Sequence, residues 1–316
     1  MTGRNPLRDL RTFLSLLRLY RQEAPDIVHH ATIKPVIYGT LASHFVRVPA
    51  VGNANSGIGS LITQRGFSVR STRGLVNLLY RIASSHGNMR STFQNREALR
   101  SFVANPVIAE QLTPLTRGLG VNLREFSFTA EPLGPATFVL VGRMLSDKGV
   151  REFVAATRSV RQLQPQWRFQ LVGGVDPRNP SSSTEAELES WGAEGIVEWL
   201  GSRADVAQIP SGSHVVCLPS YHEHLPKSLL EASAIGRSMI VTNLPGCPEV
   251  VRDGITGLRV EPRDSKAPAE AKLSLGQDPA LRAQMRHAAG DRAAALYSVE
   301  DVVQDTFLIY DELLRG

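Results

Sequence analysis

HVVCLPSYHEHLPKSLLEASAIGRSMIVTNLPG (residues 214–246) predicts a strand, a helix and a second strand in succession. The segments HVVCLPS and SMIVTNLPG are short, nearly continuous apolar runs that end close to proline or glycine, which is typical of buried strands. The segment PKSLLEASAIG between them has helical character, and a proline early in a helix is favoured. This alternation of apolar strands and helices indicates a parallel sheet that is covered on both faces.

The same alternation extends on both sides of this stretch, from residue 136 to residue 262. Apolar strands are predicted in ATFVLVGRM, RFQLVGG, IVEWLG, HVVCLPS, SMIVTNLPG and GLRVEP. Helices are predicted between them, as in GVREFVAATRSVRQL and STEAELESWGA. The pattern predicts a doubly wound α/β domain, in which ligands bind beyond the carboxyl ends of the strands. Two further helices are expected at 279–296 and 298–315.

The first part of the chain repeats the strand–helix pattern less regularly. The predicted order is a basic amphipathic helix that stops at Pro25, a strand at 26–29, a helix at 35–46, a strand at 49–54, a strand at 88–95, a helix at 96–104 and a loosely ordered segment at 116–126. Gly134 and Pro135 mark the predicted domain boundary. We therefore expect α/β domains at 1–133 and 134–297, followed by a C-terminal helix at 298–316 that packs back toward the first domain.

Composition narrows the class of protein. The chain has 316 residues, of which 42% are apolar and 21% are charged, which fits a globular protein of about two domains. Cys217 and Cys247 do not suggest a disulfide framework, so we expect a reducing cytoplasm. The sequence has no secretory signal and no apolar run of about 18 residues, so it predicts no membrane-spanning segment.

The charge balance favours an anionic partner. The net charge is +5 and the pI is about 9.5, which suits a nucleotide or a phospholipid surface. Aromatic residues make up only 6% of the chain and the arginines are spread along it, so the sequence does not predict nucleic-acid binding. The basic helix at the start either lies on a membrane surface or packs on the sheet, and the second arrangement is the more frequent one.

Residues suited to ligand binding, through side chains or backbone, gather at the carboxyl ends of the predicted strands. These residues are Arg143, Lys148, Gly173, Gly174, Ser220 and Glu223. Each alone is an ordinary surface charge or turn residue. Together they describe cations, a backbone-lined slot and an acid, which suits a nucleotide diphosphate with an attached sugar.

Glu223 and Glu231 stand eight positions apart, the first at a loop-to-helix junction and the second within the helix. An acid near the first turn of a helix can simply complement the helix dipole. The alternative is a ligand held at this helix end, with each acid binding a different part of it. Spacing alone does not decide between these interpretations.

The combination VGRMLSDKG … LVGG … WLGSRADV … LPSYHEHLPKSLLEASAIGRSMIVTNLPGCPEVVRDGITGLRV resembles the donor domain of retaining, GT-B-fold glycosyltransferases of family four. These bacterial enzymes build surface polysaccharides, and the two acids match the family's signature of Glu, seven residues, Glu. The stretch PDIVHHATIKPVIYGTLASH, followed by SGIG, resembles the subgroup that extends lipid-carrier-linked oligosaccharides from UDP-sugars. The resemblance implies two Rossmann-like doubly wound domains facing a cleft.

The resemblance assigns roles in the donor domain by position. Arg143 and Lys148 would hold the donor diphosphate, Glu223 would contact the transferred sugar, and Glu231 would bind the ribose hydroxyls. Of these, Arg143, Lys148 and Glu223 are the implied catalytic residues. The other implied donor-binding residues are Gly142, Gly173, Arg203 near the base pocket, and the backbone amides of His224, Leu225 and Pro226.

The resemblance makes the first domain the acceptor side. The residues implied there are His30, Thr32, Lys34, Ser56 and Gly57. The alternative for His29 and His30 is a pair of histidines that pack at the end of a strand.

The family mechanism implies retention of anomeric configuration. The nucleotide leaves, positive charge develops on the sugar ring, and the acceptor hydroxyl attacks from the same face. The leaving phosphate oxygen can take the acceptor's proton, while Arg143 and Lys148 stabilise its charge. The sequence has no acidic metal-binding triplet, so we expect no metal and no cofactor. The implied partners are a UDP-sugar and a lipid-linked saccharide, with the protein in the cytoplasm or at the inner face of the cell membrane.

The sequence departs from the family pattern at three places. The family has glycine directly after the first acid, and this chain has His224, which puts the donor sugar in doubt. The first domain is expected to be incomplete, with an unpaired sheet edge, so that either the chain is a fragment or a partner covers the edge. Pro268 interrupts a segment that is expected to be helical.

Two other functions remain open at this point. The chain could be a catalytically impaired protein that binds a nucleotide sugar without transferring it. It could also be a GT-B epimerase or phosphorylase, because the pair of acids is compatible with those relatives.

Overall fold

A computed structural model of the chain describes residues 6–55, 67–104, 112–114, 118–205, 208–264 and 266–315. The chain divides into two compact units. The first contains Met1–Gly118 and Val302–Gly316, and the second contains Leu119–Asp301.

The first unit holds a parallel sheet of three strands in its described part, in the order β1-β2-β3. The strands are β1 (Ile27–Ala31), β2 (Ala50–Ala54) and β3 (Met89–Thr92). The helices of this part of the chain are α1 (Pro6–Glu23), α2 (Ile33–Val46), α3 (Phe67–Ala83) and α4 (Arg96–Ala104). Helix α3 lies in a stretch to which the sequence analysis assigned no element, and the other elements fall close to their predicted positions.

The second unit holds a parallel six-stranded sheet in the order β6-β5-β4-β7-β8-β9. Its strands are β4 (Thr137–Val141), β5 (Arg168–Val172), β6 (Glu198–Trp199), β7 (Val215–Leu218), β8 (Ser238–Thr242) and β9 (Gly257–Val260). Its helices, together with the helix that follows them, are α5 (Val150–Leu163), α6 (Glu185–Ala193), α7 (Gln208–Ser211), α8 (Lys227–Ile235), α9 (Cys247–Val250), α10 (Lys266–Gln277), α11 (Pro279–Leu296) and α12 (Val299–Arg315). The predicted α/β class is confirmed.

Both faces of the second sheet are buried, as the continuous apolar strands predicted. Phe138 and Leu140 of β4 enter one apolar cluster, together with Phe153 of α5. Val139, which lies between them, enters a different cluster, with Leu229 of α8. Because successive side chains of a strand point to opposite faces, an apolar run without polar alternation requires helices on both sides.

Strand β4 is the point where the strand order of the second sheet reverses. It pairs with β5 on one side and with β7 on the other, so that Val139 is aligned with both Gln170 and Val216. The chain leaves β4 toward β5 and leaves β7 toward β8, which lies on the opposite side. In an open parallel sheet such a reversal leaves a crevice at the carboxyl ends of the two strands.

The boundary between the units lies earlier than the predicted one at 133/134. The backbone N–H of Val121 donates to the carbonyl oxygen of Tyr297 at 2.7 Å, and that of Thr129 donates to Ile235 at 3.1 Å. Arg237 is fully buried, and its guanidinium donates to the carbonyl oxygen of Thr129. Segment 119–133 therefore belongs to the second unit, although it carries no regular helix or strand that the sequence could have revealed.

Pro268 does not interrupt a helix. It lies in the first turn of α10, which begins at Lys266. The N–H groups of a first helical turn have no partner within the helix, so proline is tolerated there.

The turn after β4 touches the loop after β7 through backbone atoms. A short 3₁₀ turn, Ser146–Lys148, ends at Gly149, which has a φ of +74°. A Cβ atom at Gly149 would lie 1.9 Å from the carbonyl oxygen of Pro219. Only glycine satisfies both the left-handed conformation and this approach.

Lys272 of α10 is a lysine in the core of the second unit. Its side-chain nitrogen donates to the carbonyl oxygen of Phe153 at 2.9 Å and to Thr157 Oγ1 at 2.7 Å. Burial lowers the pKa of Lys272 from 10.5 to about 7, although the ring of Phe153, whose centroid lies 3.7 Å away, favours the charged form.

Replacement of Lys272 by methionine is expected to flatten the pH dependence of stability. A lysine with a lowered pKa binds its proton less tightly in the folded state, so its contribution to stability rises with pH between about 7 and 10.5. The free energy of unfolding should therefore gain about 2 kcal/mol more between pH 7 and pH 9 in the native sequence than in Lys272→Met. Urea titrations at both pH values measure this, and parallel changes in the two proteins would contradict the lowered pKa.

The contact at Gly149 predicts a second difference in stability. Gly149→Ala should lose about 1 kcal/mol from backbone strain and a further 1–3 kcal/mol from the clash with Pro219. Gly254 is a matched control, because it has a φ of +70° and a Cβ atom there meets nothing within 4 Å. Gly254→Ala should show the strain alone, and equal losses of unfolding free energy in the two variants would rule out the close approach.

Candidate active site

Lys148 and Glu223 meet where β4 and β7 end. Lys148 Nζ donates to Glu223 Oε1 at 2.6 Å, and Ser220 Oγ donates to the same oxygen at 2.5 Å. The Glu223 side chain is 6% exposed and that of Lys148 is 26% exposed. A carboxylate this deeply buried needs a cation and hydrogen-bond donors beside it, and these two residues supply both.

The loop that carries Glu223 also contacts the segment at and after the end of β8, in addition to the turn after β4. Gly246 has a φ of +89°, and a Cβ atom there would lie 2.2 Å from the carbonyl oxygen of His224. Thr242 Oγ1 at the end of β8 donates to the carbonyl oxygen of Ser220 at 2.5 Å. The loop is therefore fixed between the ends of β4 and β8.

Glu231 lies in α8, which begins directly after Pro226. Pro226 itself has an extended backbone conformation. The side chain is 8% exposed, and Lys227 Nζ, one helical turn earlier, lies 3.3 Å from Glu231 Oε1. Burial raises the pKa of Glu231, and Lys227 opposes this shift. A buried acid in the second turn of a helix can accept hydrogen bonds from a ligand that replaces the lost water.

Arg143 and Gly142 follow β4 directly, and the structure gives them different surroundings. The Arg143 side chain is 62% exposed, and its guanidinium lies 3.1 Å from Asp176 Oδ2, beyond the end of β5. The carbonyl oxygen of Gly142 would lie 1.8 Å from a Cβ atom at Gly173. The ends of β4 and β5 are therefore in direct backbone contact, and the backbone-lined slot stays a prediction.

The remaining predicted donor residues lie on either side of these strand ends. Arg203 follows β6 and pairs with Asp205 at 2.6 Å. Leu225 packs against the apolar cluster beneath α8. His224 is half-buried, and burial lowers its pKa while the charge of Glu223 raises it, so the imidazole is neutral at pH 7.

His30 lies in the core of the first unit, so the packing alternative describes it better than an acceptor role. It is 5% exposed, and a Cβ atom at Gly39 of α2 would lie 2.3 Å from its ring. Asn53 Oδ1 accepts from His30 Nδ1 at 2.9 Å, which leaves Nε2 to accept from the Tyr20 hydroxyl at 2.7 Å. Burial lowers the pKa of His30, which keeps the ring neutral. Both nitrogens are occupied, so the side chain has no site left for a ligand.

The other predicted acceptor residues differ in their surroundings. Thr32 is exposed at the end of β1 with a φ of +73°, and its N–H donates to the carbonyl oxygen of Ala54 at 3.1 Å. Lys34 pairs with Asp9 of α1 at 2.7 Å. Ser56 and Gly57 lie outside the described residues.

Sequence reasoning missed the counterions of this region. Lys227 pairs with Glu231 and could have been found, since helical residues four apart are neighbours. Asp176, which pairs with Arg143, lies in the irregular segment between β5 and α6 and gives no periodic signal. Over the described ranges, no group of three or more His, Cys, Asp and Glu side chains is arranged to hold a metal ion. Metal-independent chemistry remains a prediction.

Comparison with known proteins bears on the second unit first. Residues 135–278 match the family described as glycosyl transferases group 1. An N,N'-diacetylbacillosaminyl-diphospho-undecaprenol alpha-1,3-N-acetylgalactosaminyltransferase of Campylobacter jejuni is 28% identical over 331 aligned residues, which cover 99% of this chain and 84% of the relative. A UDP-Gal:alpha-D-GlcNAc-diphosphoundecaprenol alpha-1,3-galactosyltransferase of Escherichia coli is 26% identical over 304 residues, covering 87% of this chain and 72% of the relative.

Solved structures establish the fold. The crystal structure of Anabaena Alr3699/HepE in complex with UDP superposes with a TM-score of 0.79 at 18% identity, covering 95% of this chain and 82% of that chain. The segment 135–278 thus belongs to glycosyl transferases group 1, and the chain that carries it is a glycosyltransferase with the GT-B fold.

Proposed function

We propose that this protein transfers a hexose or an N-acetylhexosamine from a UDP-sugar to a lipid-carrier-linked saccharide during synthesis of a surface polysaccharide. The names of the Campylobacter and Escherichia relatives support both the acceptor class and the type of reaction. The observation that carries the proposal is the Lys148–Glu223 pair. It lies where the strand order reverses, within the segment that matches glycosyl transferases group 1. A cation and an acid side by side at this point suit a phosphate joined to a sugar.

Lys148 is the proposed ligand of the donor diphosphate. Its ammonium group is 2.6 Å from Glu223 Oε1 and its side chain is 26% exposed. Because the side chain is partly exposed and an ammonium group has three N–H donors, it could also donate to phosphate oxygens while Glu223 stays close. Arg143 offers a second, more exposed cation at the end of the same strand.

Glu223 and Glu231 are the proposed acceptors for sugar hydroxyls. Glu223 follows the end of β7 and would accept from the transferred sugar. Glu231 would accept from the ribose, and hydrogen bonds from two adjacent hydroxyls would favour its ionised form against the effect of burial. One ligand would then contact both Glu223, which precedes α8, and Glu231, which lies within α8.

The proposed reaction proceeds with retention. As the bond from the sugar to the UDP phosphate breaks, positive charge develops on the sugar ring and negative charge develops on the phosphate oxygen. Lys148 and Arg143 would stabilise the phosphate, and this oxygen would take the proton of the attacking acceptor hydroxyl. The chain's own side chains supply the needed positive charge, so we propose that the reaction requires no metal ion.

Alanine substitutions of the two acids should have different effects. Glu231→Ala should weaken UDP binding by about 10- to 100-fold, because the ribose loses hydrogen bonds to a charged group. Glu223→Ala should lower the transfer rate by about 100-fold or more while changing UDP affinity much less. Titration calorimetry with UDP and a transfer assay with a panel of UDP-sugars and lipid-linked acceptors measure the two effects.

Glu187 provides the matched control for these variants, since it forms a surface ion pair with Arg151. Glu187→Ala should leave both UDP affinity and transfer unchanged. Equal effects of all three substitutions would contradict the roles of Glu223 and Glu231. UDP binding by a native chain that transfers no sugar would favour the impaired binding protein, and conversion of a free UDP-sugar without acceptor would favour an epimerase.

We further propose that α1 contacts an anionic membrane surface, where a lipid-linked acceptor would be found. Among the described residues, no helix is both long and apolar enough to cross a bilayer. Helix α1 packs on the first unit through Tyr20, while Leu7, Leu10 and Leu14 are 70%, 54% and 49% exposed. Exposed arginines accompany these leucines, which is the pattern of a helix that lies in the headgroup region. The arginines are Arg11, Arg18 and Arg21.

Reversal of charge on α1 should release the protein from anionic vesicles. The double variant Arg11→Glu with Arg18→Glu should bind vesicles of phosphatidylglycerol and phosphatidylcholine at least about 10-fold more weakly, because each basic residue contributes about 1 kcal/mol. The control is Arg81→Glu with Arg100→Glu, which makes the same change of net charge at exposed positions of the first unit. Sedimentation with vesicles compares the variants, and equal losses would show that only net charge matters.

A further inference from the structure

Tyr221 connects the two segments that carry the Lys148–Glu223 pair. It stands between Ser220 and Glu223 in the loop after β7. Its backbone N–H donates to the carbonyl oxygen of Asp147 at 2.8 Å, and Asp147 directly precedes Lys148. A movement of Tyr221 therefore displaces the turn and the loop relative to one another.

The Tyr221 side chain makes a second connection, to helix α5. Its hydroxyl donates a short hydrogen bond to Glu152 Oε1. Glu152 lies in the first turn of α5, the helix that begins directly after the Lys148 turn. Burial and the neighbouring carboxylate raise the pKa of Tyr221 to about 12, so the hydroxyl keeps its proton and remains a donor.

The two carboxylate oxygens of Glu152 have different surroundings. Its Oε2 atom is buried and has no hydrogen-bond partner in the part of the chain that the structure describes. An unpaired buried oxygen of a carboxylate costs free energy, so such a group calls for an explanation other than packing. The hydrogen bond from Tyr221 is the contact that its other oxygen makes.

A third group fixes the ring of Tyr221. The guanidinium of Arg263 lies over the ring, with Cζ 5.5 Å from the ring centroid. Arg263 has a φ of +64°, a left-handed conformation that is strained for a residue with a Cβ atom. Tyr221 is therefore held by the turn after β4, by α5 and by the loop after β9.

We propose that Tyr221 and Glu152 are positioning residues that set the distance between Lys148 and Glu223 for transfer. Neither residue needs to touch the donor. Tyr221 aligns the loop with the turn, and Glu152 keeps Tyr221 in place from the helix that the turn begins. The proposal deepens the proposed transferase function and, in its kinetic part, rests on that function.

The kinetic test is Tyr221→Phe, which removes the bond to Glu152 and keeps the ring. The kcat should fall by about 10- to 100-fold, because small displacements of reacting groups have effects of this size. UDP affinity should change by no more than about twofold, since the phosphate and ribose ligands remain. Glu152→Ala should behave in the same way, whereas Glu152→Gln should keep most activity because its carbonyl oxygen still accepts from Tyr221.

Tyr297→Phe is the matched control. Tyr297 is a buried tyrosine of the second unit whose hydroxyl donates to the carbonyl oxygen of Glu249. This variant loses one hydrogen bond of the same kind, and its kcat should equal that of the native chain. Equal kcat values in the two tyrosine variants would overturn the proposal. So would a loss of kcat in Tyr221→Phe that is matched by an equal loss of UDP affinity.

Hydrogen exchange tests the same coupling without catalysis. Tyr221→Phe should speed exchange of the backbone amides in 146–149 and 220–224, and Tyr297→Phe should not. Unchanged exchange in both segments would overturn the proposal. A native chain that transfers no sugar, but in which Tyr221→Phe speeds exchange in both segments, would refute the proposed function and leave the positioning role supported.

Discussion

The reversal of strand order at β4 is the constraint on which the candidate site depends. Because β4 pairs with both β5 and β7, the turn after β4 and the loop after β7 leave adjacent strands at the same edge of the sheet. Gly149 lets the two segments meet at the distance of a backbone contact, against Pro219. At that separation Lys148 reaches Glu223 without any further rearrangement. The Lys148–Glu223 pair thus results from one topological feature and one glycine.

Under the proposed function, the charges at this edge would exchange partners when the donor binds. Buried ion pairs add little to the free energy of folding, because desolvation offsets their attraction. Each acid is nevertheless held beside a lysine, Glu223 by Lys148 and Glu231 by Lys227. A diphosphate that approaches Lys148 and hydroxyls that approach the acids would satisfy the same groups in a new combination. These lysines compensate the charges of the two buried acids, which explains how the charges can lie so close together.

The parallel sheet of the second unit could be predicted from sequence, whereas the burial of His30 and the place of segment 119–133 could not, and each outcome has a physical reason. Continuous apolar strands determine a covered parallel sheet, and adjacent strand ends bring Lys148 and Glu223 together. The family resemblance assigned His30 to the acceptor side, but strand alternation turns it inward beneath Gly39, while His29 is exposed. Segment 119–133 has no periodicity, and its place depends on bonds from Arg237, which no local pattern reveals.

The departure at His224 has a narrower consequence than its position in the motif suggests. The residues with positive φ other than glycine are Ala24, Thr32, Arg47 and Arg263 within the described ranges, so position 224 does not require the conformational freedom of glycine. The close backbone contact in this loop is made at Gly246 instead, where the missing Cβ atom admits the carbonyl oxygen of His224. The loop can therefore keep its path with histidine in place. What changes is the half-buried imidazole beside Glu223, so under the proposed function we expect His224 to affect which sugar the site accepts rather than whether the loop forms.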